Sequence, residues 1–131
     1  MRTLVDTSSW VEALRRDGRE DVRTRVRDLV LAGDAVLCDM VLLELWNGAR
    51  GERERHDLAA MEQDLEIVPT TAATWQLASE IARRSRDSGR TLPATDILIA
   101  ACASAAGTSV EAVDSHVTEA WHIAAGIPRP S

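Results

Sequence analysis

The chain has 131 residues, of which 45% are apolar and 27% are charged, a composition typical of one folded domain and not of a disordered segment. It contains no apolar run of about 18 residues and no basic-then-apolar leader, so we expect a cytoplasmic protein that does not enter a membrane. Its net charge of −6 argues against uniform electrostatic attraction to nucleic acid.

Short apolar segments alternate with amphipathic helical patterns along the chain. The apolar segments predict strands at residues 4–5, 35–38, 65–68, 109–113 and 121–123. The helical patterns predict helices over residues 8–15, 20–32, 40–49, 71–87 and 94–106, with another helix after Gly51. Each crossover is too long for a hairpin, which indicates a parallel sheet. We therefore predict one α/β domain over residues 1–131, with helices flanking four to five short strands.

The tryptophans and cysteines occur among apolar residues. Trp10, Trp46 and Trp75 have helical spacing relative to Leu, Val and Ile, so we expect core or interface positions, with Trp75 directed inward. Stacking on nucleic-acid bases is their alternative role. Cys38 and Cys102 are expected to be reduced core residues, and neither has a second Cys or His at the spacing of a zinc site.

Acidic side chains stand where the predicted strands give way to helices. Asp6 ends the first strand, Asp96 begins the alanine-rich helix and Asp114 follows a late strand. In a parallel sheet the strand ends and helix starts share one edge, so these three residues are expected to converge. Glu44 lies among apolar residues of the third predicted helix, where its charge must face solvent, pair with arginine or bind a metal.

Each of the three aspartates also has a structural explanation, because carboxylates are favoured at helix N-termini and in turns. As a group, however, converging carboxylates repel each other unless cations neutralise them. Oxygen ligands without His or Cys favour Mg²⁺ or Mn²⁺ over zinc. Such ions serve phosphodiester hydrolysis, so the acids predict a hydrolytic metal site.

The acids fall within four segments: residues 4–10 (LVDTSSW), 43–48 (LELWNG), 93–101 (PATDILIAA) and 114–117 (DSHV). In order and spacing these segments resemble the PIN-domain ribonucleases, and among them the VapC-type toxins of toxin–antitoxin pairs. The resemblance implies a three-layer α/β/α fold and an endoribonuclease, in homodimeric form, that a VapB-like antitoxin inhibits. It also implies that Asp6, Glu44, Asp96 and Asp114 form an acidic pocket holding Mg²⁺ or Mn²⁺.

Polar residues next to the acids complete the expected site. The resemblance implies a supporting hydroxyl from Thr7 or Ser8. His116 contacts the scissile phosphate or a metal-bound water in one interpretation, and is a surface turn residue in the other. The family usually has an aromatic residue shortly after its last acid, whereas Val117 stands here and the chain has no Phe or Tyr. The geometry around Asp114 is therefore the least constrained part of the resemblance.

All 15 basic residues are arginines, the cation best suited to bidentate phosphate contacts. Residues 15–27 hold six arginines against three acids, and residues 83–90 hold four against one, so each stretch has a local charge of +3. Solvated helix faces are the structural alternative. We predict contacts to the RNA backbone from six of them: Arg23, Arg25, Arg27, Arg83, Arg84 and Arg86.

Three other functional classes are compatible with parts of the pattern. Receiver and phosphatase-like domains also place Asp after a first strand, but both rely on lysine, which this chain lacks. A catalytically silent module that only binds an antitoxin is expected to have lost some acids, whereas all four are present. A housekeeping RNA-processing nuclease of the same fold is the nearest alternative.

Overall fold

A computed structural model describes residues 1–129 as four strands and seven helices. The last two residues of the predicted domain, 130 and 131, lie outside the described residues. The strands are β1 (Thr3–Val5), β2 (Ala35–Cys38), β3 (Glu66–Val68) and β4 (Ser109–Glu111). The helices are α1 (Thr7–Leu14), α2 (Glu20–Leu31), α3 (Asp39–Asn47), α4 (Gly51–Asp64), α5 (Ala72–Asp87), α6 (Ala94–Ala105) and α7 (Ser115–Ala125).

The strands form one parallel sheet in the order β3-β2-β1-β4. The chain builds outward from β1 through β2 to β3, then crosses through α5 and α6 to place β4 on the other side of β1. The order therefore reverses between β1 and β4, and open α/β sheets bind ligands at such a reversal. The predicted parallel α/β sheet with flanking helices is confirmed.

The core is built around the central strands and helix α6, and each of the other helices contributes buried apolar side chains to it. β1 and β2 are buried along their whole length, as continuous apolar strands in a parallel sheet must be. Eight consecutive residues of α6, from Ile97 to Ser104, are buried, and the small residues among them let neighbouring helices approach closely. Cys38 and Cys102 are free thiols in this core. No helix within residues 1–129 is long and apolar enough to span a membrane.

The strand predicted at residues 121–123 is wrong, because these residues lie in α7. The helix buries Val117, Ala120 and Ala124 at helical spacing, so the segment Trp121-His122-Ile123 belongs to a longer apolar pattern with a period of 3.6 residues. The inward position predicted for Trp75 is also wrong, since it is 56% exposed. Helix α5 buries the face that contains Thr74, Ala78, Ile81 and Ser85 instead.

The loop between α1 and α2 packs directly against the end of α1. A Cβ atom built on Gly18 would overlap the carbonyl oxygen of Glu12. The Glu12 carboxylate also accepts a hydrogen bond from the backbone N–H of Arg19 at 2.7 Å, and Gly18 donates to the carbonyl of Arg15 at 3.2 Å. The loop therefore has one conformation that only glycine permits at this position.

We expect Gly18→Ala to lower the free energy of unfolding by about 1–3 kcal/mol, because the methyl group forces the loop away from α1. Gly48→Ala is the matched control, since the nearest neighbouring atom to the added Cβ, the Glu44 carbonyl oxygen of α3, is 3.5 Å away, which is an ordinary van der Waals contact. Denaturant unfolding of both variants measures the difference. Equal stability of the two variants would contradict the close approach at Gly18.

Candidate active site

Three aspartates meet where the strand order reverses. Asp6 directly follows β1 and Asp114 lies three residues beyond the neighbouring strand β4. Asp6 is the N-cap of α1, Asp114 is the N-cap of α7, and Asp96 lies in the first turn of α6. Each position offers favourable backbone dipoles to a carboxylate. The convergence predicted from the strand ends is present in the structure.

The hydroxyl of Ser8 joins two of these aspartates. It donates a hydrogen bond to Oδ2 of Asp6 at 2.5 Å and accepts the backbone N–H groups of Val113 and Asp114 at 3.1 and 3.2 Å. The same Asp6 oxygen accepts the backbone N–H of Ser8 at 3.2 Å. Ser8 thus fixes the loop that carries Asp114 against the end of β1.

The imidazole of His116 lies beside the other pair of acids. Its Nδ1 is 3.2 Å from Oδ1 of Asp114 and 3.6 Å from Oδ2 of Asp96. One ligand atom from each of Asp96, Asp114 and His116 lies within 4.8 Å of the others. These three side chains are the cluster within residues 1–129 with spacing suited to a metal ion.

Glu44 reaches the site from helix α3 and is held by Thr7. The Thr7 hydroxyl donates to Oε1 of Glu44 at 2.9 Å, and Glu44 is half-buried. Of the three environments open to Glu44 from sequence, the structure shows a partly exposed carboxylate with a hydroxyl partner and no arginine partner among residues 1–129. Thr7 and Ser8 therefore each support a different acid.

The carboxylates perturb one another electrostatically. Burial, followed by the nearby charges of Asp114 and Asp6, raises the pKa of Asp96 to about 6, and Glu44 adds a smaller contribution in the same direction. Burial is also the main cause that raises the pKa of Asp6, with a contribution from Asp114. Perturbed acids in a cleft are typical of functional sites. A bound cation would relieve both the repulsion and the cost of burial.

The residues present fit a hard divalent cation. Carboxylate oxygens dominate the donor set, which suits Mg²⁺ or Mn²⁺. His116 adds one nitrogen at the rim, and no cysteine lies in the cluster. Asp6 and Glu44 lie outside the tightest group of three, but their charges act on Asp96. The arrangement can hold a metal and bring a phosphate group next to it.

The six predicted arginine contacts lie in several different environments. Arg25 pairs with Glu111 at 2.7 Å and with Asp21 at 3.4 Å, while Arg83 and Arg84 share Glu80. The other three have polar or surface neighbours: Arg86 donates to Thr91, Arg23 donates to the Arg16 carbonyl, and Arg27 is 4.0 Å from Asp28. Contacts between these six arginines and RNA remain a prediction. For Arg25 such a contact is less favourable, because its guanidinium group already pairs with two carboxylates.

Sequence reasoning missed a network of polar side chains that borders the site. Ser9, which is fully buried, donates to Oε2 of Glu111 at 2.7 Å, and Oε1 of Glu111 accepts from Arg25. The network joins α1, α2 and β4 next to Asp6. Its members are 86 and 102 residues apart in sequence, so no local pattern could have identified it.

An apolar groove runs between α1, α2 and α4 on the side of the molecule that carries Trp10. It has a volume of about 600 Å³. Leu31, 78% exposed, and Val30, 37% exposed, lie on its rim, while Trp10 is almost completely buried beneath it. Its apolar lining includes Leu14, Val26, Met61 and Leu65. Its charged lining residues are Arg23 and Arg27 together with three acids, Glu20, Asp57 and Asp64.

The family model for the PIN domain matches residues 3–120. The chain belongs to the PIN domain family. This membership confirms the family predicted from the sequence and implies a nuclease. No curated protein matches the sequence of the chain, so the remaining comparisons are with solved structures.

Several solved PIN domain structures share the fold of this one. FitAcB from Neisseria gonorrhoeae is 23% identical, with a TM-score of 0.75 over 94% of this chain and 93% of the other. VapBC2 from Rickettsia felis, bound to a DNA fragment from its promoter, is 19% identical, with a TM-score of 0.73 over 91% and 92%. VapC20 from Mycobacterium tuberculosis, a toxin that cleaves the sarcin–ricin loop, is 25% identical, with a TM-score of 0.67 over 90% and 94%.

The raised pKa of Asp96 has a consequence for the stability of the metal-free PIN domain. With a pKa of about 6 in the folded state against an ordinary value of 3.8, the folded protein binds a proton that the unfolded chain releases between about pH 4 and pH 6. Stability therefore falls as the pH rises through this window. We expect Asp96→Asn to raise the melting temperature by a few degrees at about pH 7 and to leave it unchanged near pH 4.

Thermal unfolding in EDTA across this pH range tests the expectation. Asp28→Asn is the control, because Asp28 is 68% exposed and lies near the end of α2. Equal gains for Asp96→Asn at both ends of the pH range would contradict the electrostatic explanation.

Proposed function

We propose that this protein is a metal-dependent endoribonuclease toxin, formed by a single PIN domain over residues 1–131 and inhibited by a cognate VapB-like antitoxin. The convergence of Asp6, Asp96 and Asp114 where the strand order reverses carries the proposal. The family match and the likeness to VapC20 support an RNA substrate, which would be a structured RNA.

The acids would hold Mg²⁺ or Mn²⁺, with Asp6, Asp96 and Asp114 as ligands and Glu44 completing the set or orienting the attacking water. When bound, such an ion supplies activation of water and stabilisation of the charge that develops on the phosphate. Ser8 keeps Asp6 and Asp114 at a fixed separation, and Thr7 orients Glu44. His116, whose imidazole lies beside Asp96 and Asp114, would contact the scissile phosphate or a metal-bound water.

The apolar groove supports a protein partner. It is an elongated hydrophobic surface between helices, suited to an amphipathic helix. An antitoxin helix seated there would cover Leu31 and Val30, and the following segment would extend toward the acids, whose field favours an inserted arginine. Leu43, 62% exposed on α3, and Trp75, 56% exposed on α5, leave apolar surface that a second copy would cover in a homodimer.

The groove also favours a toxin over a housekeeping nuclease of the same fold. A housekeeping enzyme does not need a hydrophobic surface that binds an inhibitor, and monomeric proteins rarely expose extended apolar surface. A small DNA-binding antitoxin encoded next to this protein, and toxicity when the protein is expressed alone, would distinguish the two. A silent binding module is disfavoured because all four acids are present and electrostatically coupled.

We expect Asp6→Asn to reduce RNA cleavage by more than about a hundredfold, since loss of even an outer partner of a metal ligand typically costs ten- to a hundredfold. The fold should persist, because asparagine keeps the shape of the side chain and relieves the cost of burying a charge. Purified protein is incubated with total RNA and Mg²⁺ or Mn²⁺, with EDTA as a second control. Asp28→Asn, the same substitution on an exposed acid, should leave cleavage unchanged.

Full activity in the Asp6→Asn variant would refute the assigned site. Absence of cleavage by well-folded, antitoxin-free wild-type protein would instead count against the ribonuclease itself. Discrete fragments that vanish with Asp6→Asn and with EDTA would identify the target RNA by the positions of their ends.

Metal binding should stabilise the folded protein. At a Mn²⁺ concentration of 100 times its dissociation constant, the free energy of unfolding should rise by about 2.7 kcal/mol, an effect that EDTA reverses. Asp96→Asn and Asp114→Asn should each weaken it, whereas Asp28→Asn should retain it. A melting temperature that does not respond to Mn²⁺ in the wild-type protein would refute the metal site regardless of any activity measurement.

A further inference from the structure

Four arginines surround a pocket of about 310 Å³ between the α1–α2 loop and the start of α4. Arg15 and Arg16 come from the loop, and Arg50 and Arg53 come from the other side. We call this the arginine pocket. Asp17 and Glu54 are the acids in its lining, so positive charges outnumber negative charges by two. Sequence reasoning did not connect the two pairs, because 34 residues separate Arg16 from Arg50.

The guanidinium groups of this pocket are not neutralised within the part of the chain that the structure describes. None of the four forms an ion pair there, in contrast to Arg2, Arg19, Arg25 and Arg90. The carboxylate of Glu54 accepts the backbone N–H of Arg50 at 2.7 Å and forms no ion pair with a guanidinium group of the pocket. The exposed guanidinium groups are therefore available to an external anion.

The arginine pocket adjoins a cleft that contains Glu44 of the candidate active site. A smaller adjoining cleft of about 80 Å³ is lined by Glu44, Leu45 and Gly48, and it shares Leu14, Arg15 and Glu54 with the pocket. Arg15 thus borders both spaces. A chain with phosphates at regular intervals can place one phosphate among the arginines while a neighbouring part of the chain passes Glu44.

The loop that carries Arg15 and Arg16 is also fixed in position. Gly18 packs against the Glu12 carbonyl, and the guanidinium of Arg23 donates to the carbonyl of Arg16 at 3.0 Å. Ordering this segment on binding therefore costs little further backbone entropy. The pocket is a pre-formed surface rather than a mobile basic tail.

We infer that the arginine pocket binds backbone phosphates of the RNA substrate and positions the chain for cleavage beside Glu44. The inference rests on the proposed ribonuclease function. Planar guanidinium groups form paired hydrogen bonds to phosphate oxygens. In the arginine pocket four of them lie together without ion pairs among residues 1–129, and the pocket adjoins the cleft that contains Glu44. An acidic polypeptide segment is the competing occupant, which the experiment distinguishes.

The test compares two double variants in the Asp6→Asn background, which prevents cleavage during the binding measurement. Arg15→Gln with Arg53→Gln removes two charges from the pocket. Arg2→Gln with Arg55→Gln removes the same charge from outside it, and Arg55 lies only two residues from Arg53 on α4. Melting temperatures confirm that both variants fold. The probes are a labelled single-stranded RNA of mixed sequence and poly-L-glutamate.

The pocket variant should bind the RNA with an affinity lower by about tenfold or more. The slope of log affinity against log salt concentration should become shallower by about 0.7 for each phosphate that the variant no longer binds. The control should stay within about twofold of the parent, which is less than the effect of removing one phosphate-binding arginine. Equal losses of affinity in both variants, or unchanged affinity in the pocket variant, would overturn the inference. Weaker polyglutamate binding with unchanged RNA binding would assign the pocket to a protein segment instead.

Cleavage by the wild-type protein separates this inference from the proposed function. Metal-dependent cleavage that Asp6→Asn abolishes, together with an unaffected pocket variant, would overturn the arginine pocket alone. A wild-type protein that neither binds nor cleaves RNA would overturn both.

Discussion

The position of the acidic site depends on a single hydroxyl group. Ser8 donates to Asp6 and accepts the N–H groups of Val113 and Asp114, which uses the one donor and two acceptor positions of a serine hydroxyl. Carboxylates at the ends of neighbouring strands repel each other, and the loop after β4 has no sheet contacts of its own to resist that force. The Ser8 hydroxyl provides this resistance, and it does so from the same turn that carries Asp6.

The aspartates that cap or begin helices are the same aspartates that are predicted to bind a metal. Asp6 and Asp114 each accept the backbone N–H two residues ahead and so cap α1 and α7, while Asp96 lies in the first turn of α6. Helix N-termini favour negative charge, so the three helices offset part of the repulsion between the acids. Burial is the main cause of the raised pKa values of Asp6 and Asp96, and the charges of neighbouring carboxylates add to it. A cation held among these acids, as the proposed function requires, would relieve both costs.

The sequence was sufficient to predict the parts of the fold that local patterns determine. β1, β2 and the alanine-rich α6 are apolar segments bounded by clear turn signals, and parallel topology then brings Asp6, Asp96 and Asp114 together. The prediction failed at residues 121–123, where two apolar residues flank a histidine. This alternation is compatible with a strand or a helix, and only the buried face of the helix decides between them. Trp75 failed for a related reason, because a tryptophan one position from a buried helical face contributes to periodicity without being buried.

Local sequence patterns could not predict the contacts between segments that are far apart in the chain. The Ser9–Glu111–Arg25 network requires β4 to lie beside α1 and α2, which depends on the strand order β3-β2-β1-β4. The same limitation applies to arginine. A count of charges along residues 15–27 cannot separate Arg25, held by two carboxylates, from Arg15, which has no ion-pair partner among residues 1–129. Only the three-dimensional pairing of charges shows which cations remain available.

This pairing decides how a chain of net charge −6 can bind a polyanion. The geometry that lets arginine hold a phosphate through two parallel hydrogen bonds also lets it hold a carboxylate in the same way, so many arginines of this acidic chain are bound internally. For the proposed ribonuclease, the acids repel the substrate until a cation neutralises them. In that proposal, Arg15 borders the cleft that contains Glu44, and Arg16, Arg50 and Arg53 lie in the adjoining pocket, so this group would attract phosphates close to the acids. The local placement of unpaired guanidinium groups would then matter more for substrate binding than the net charge of the molecule.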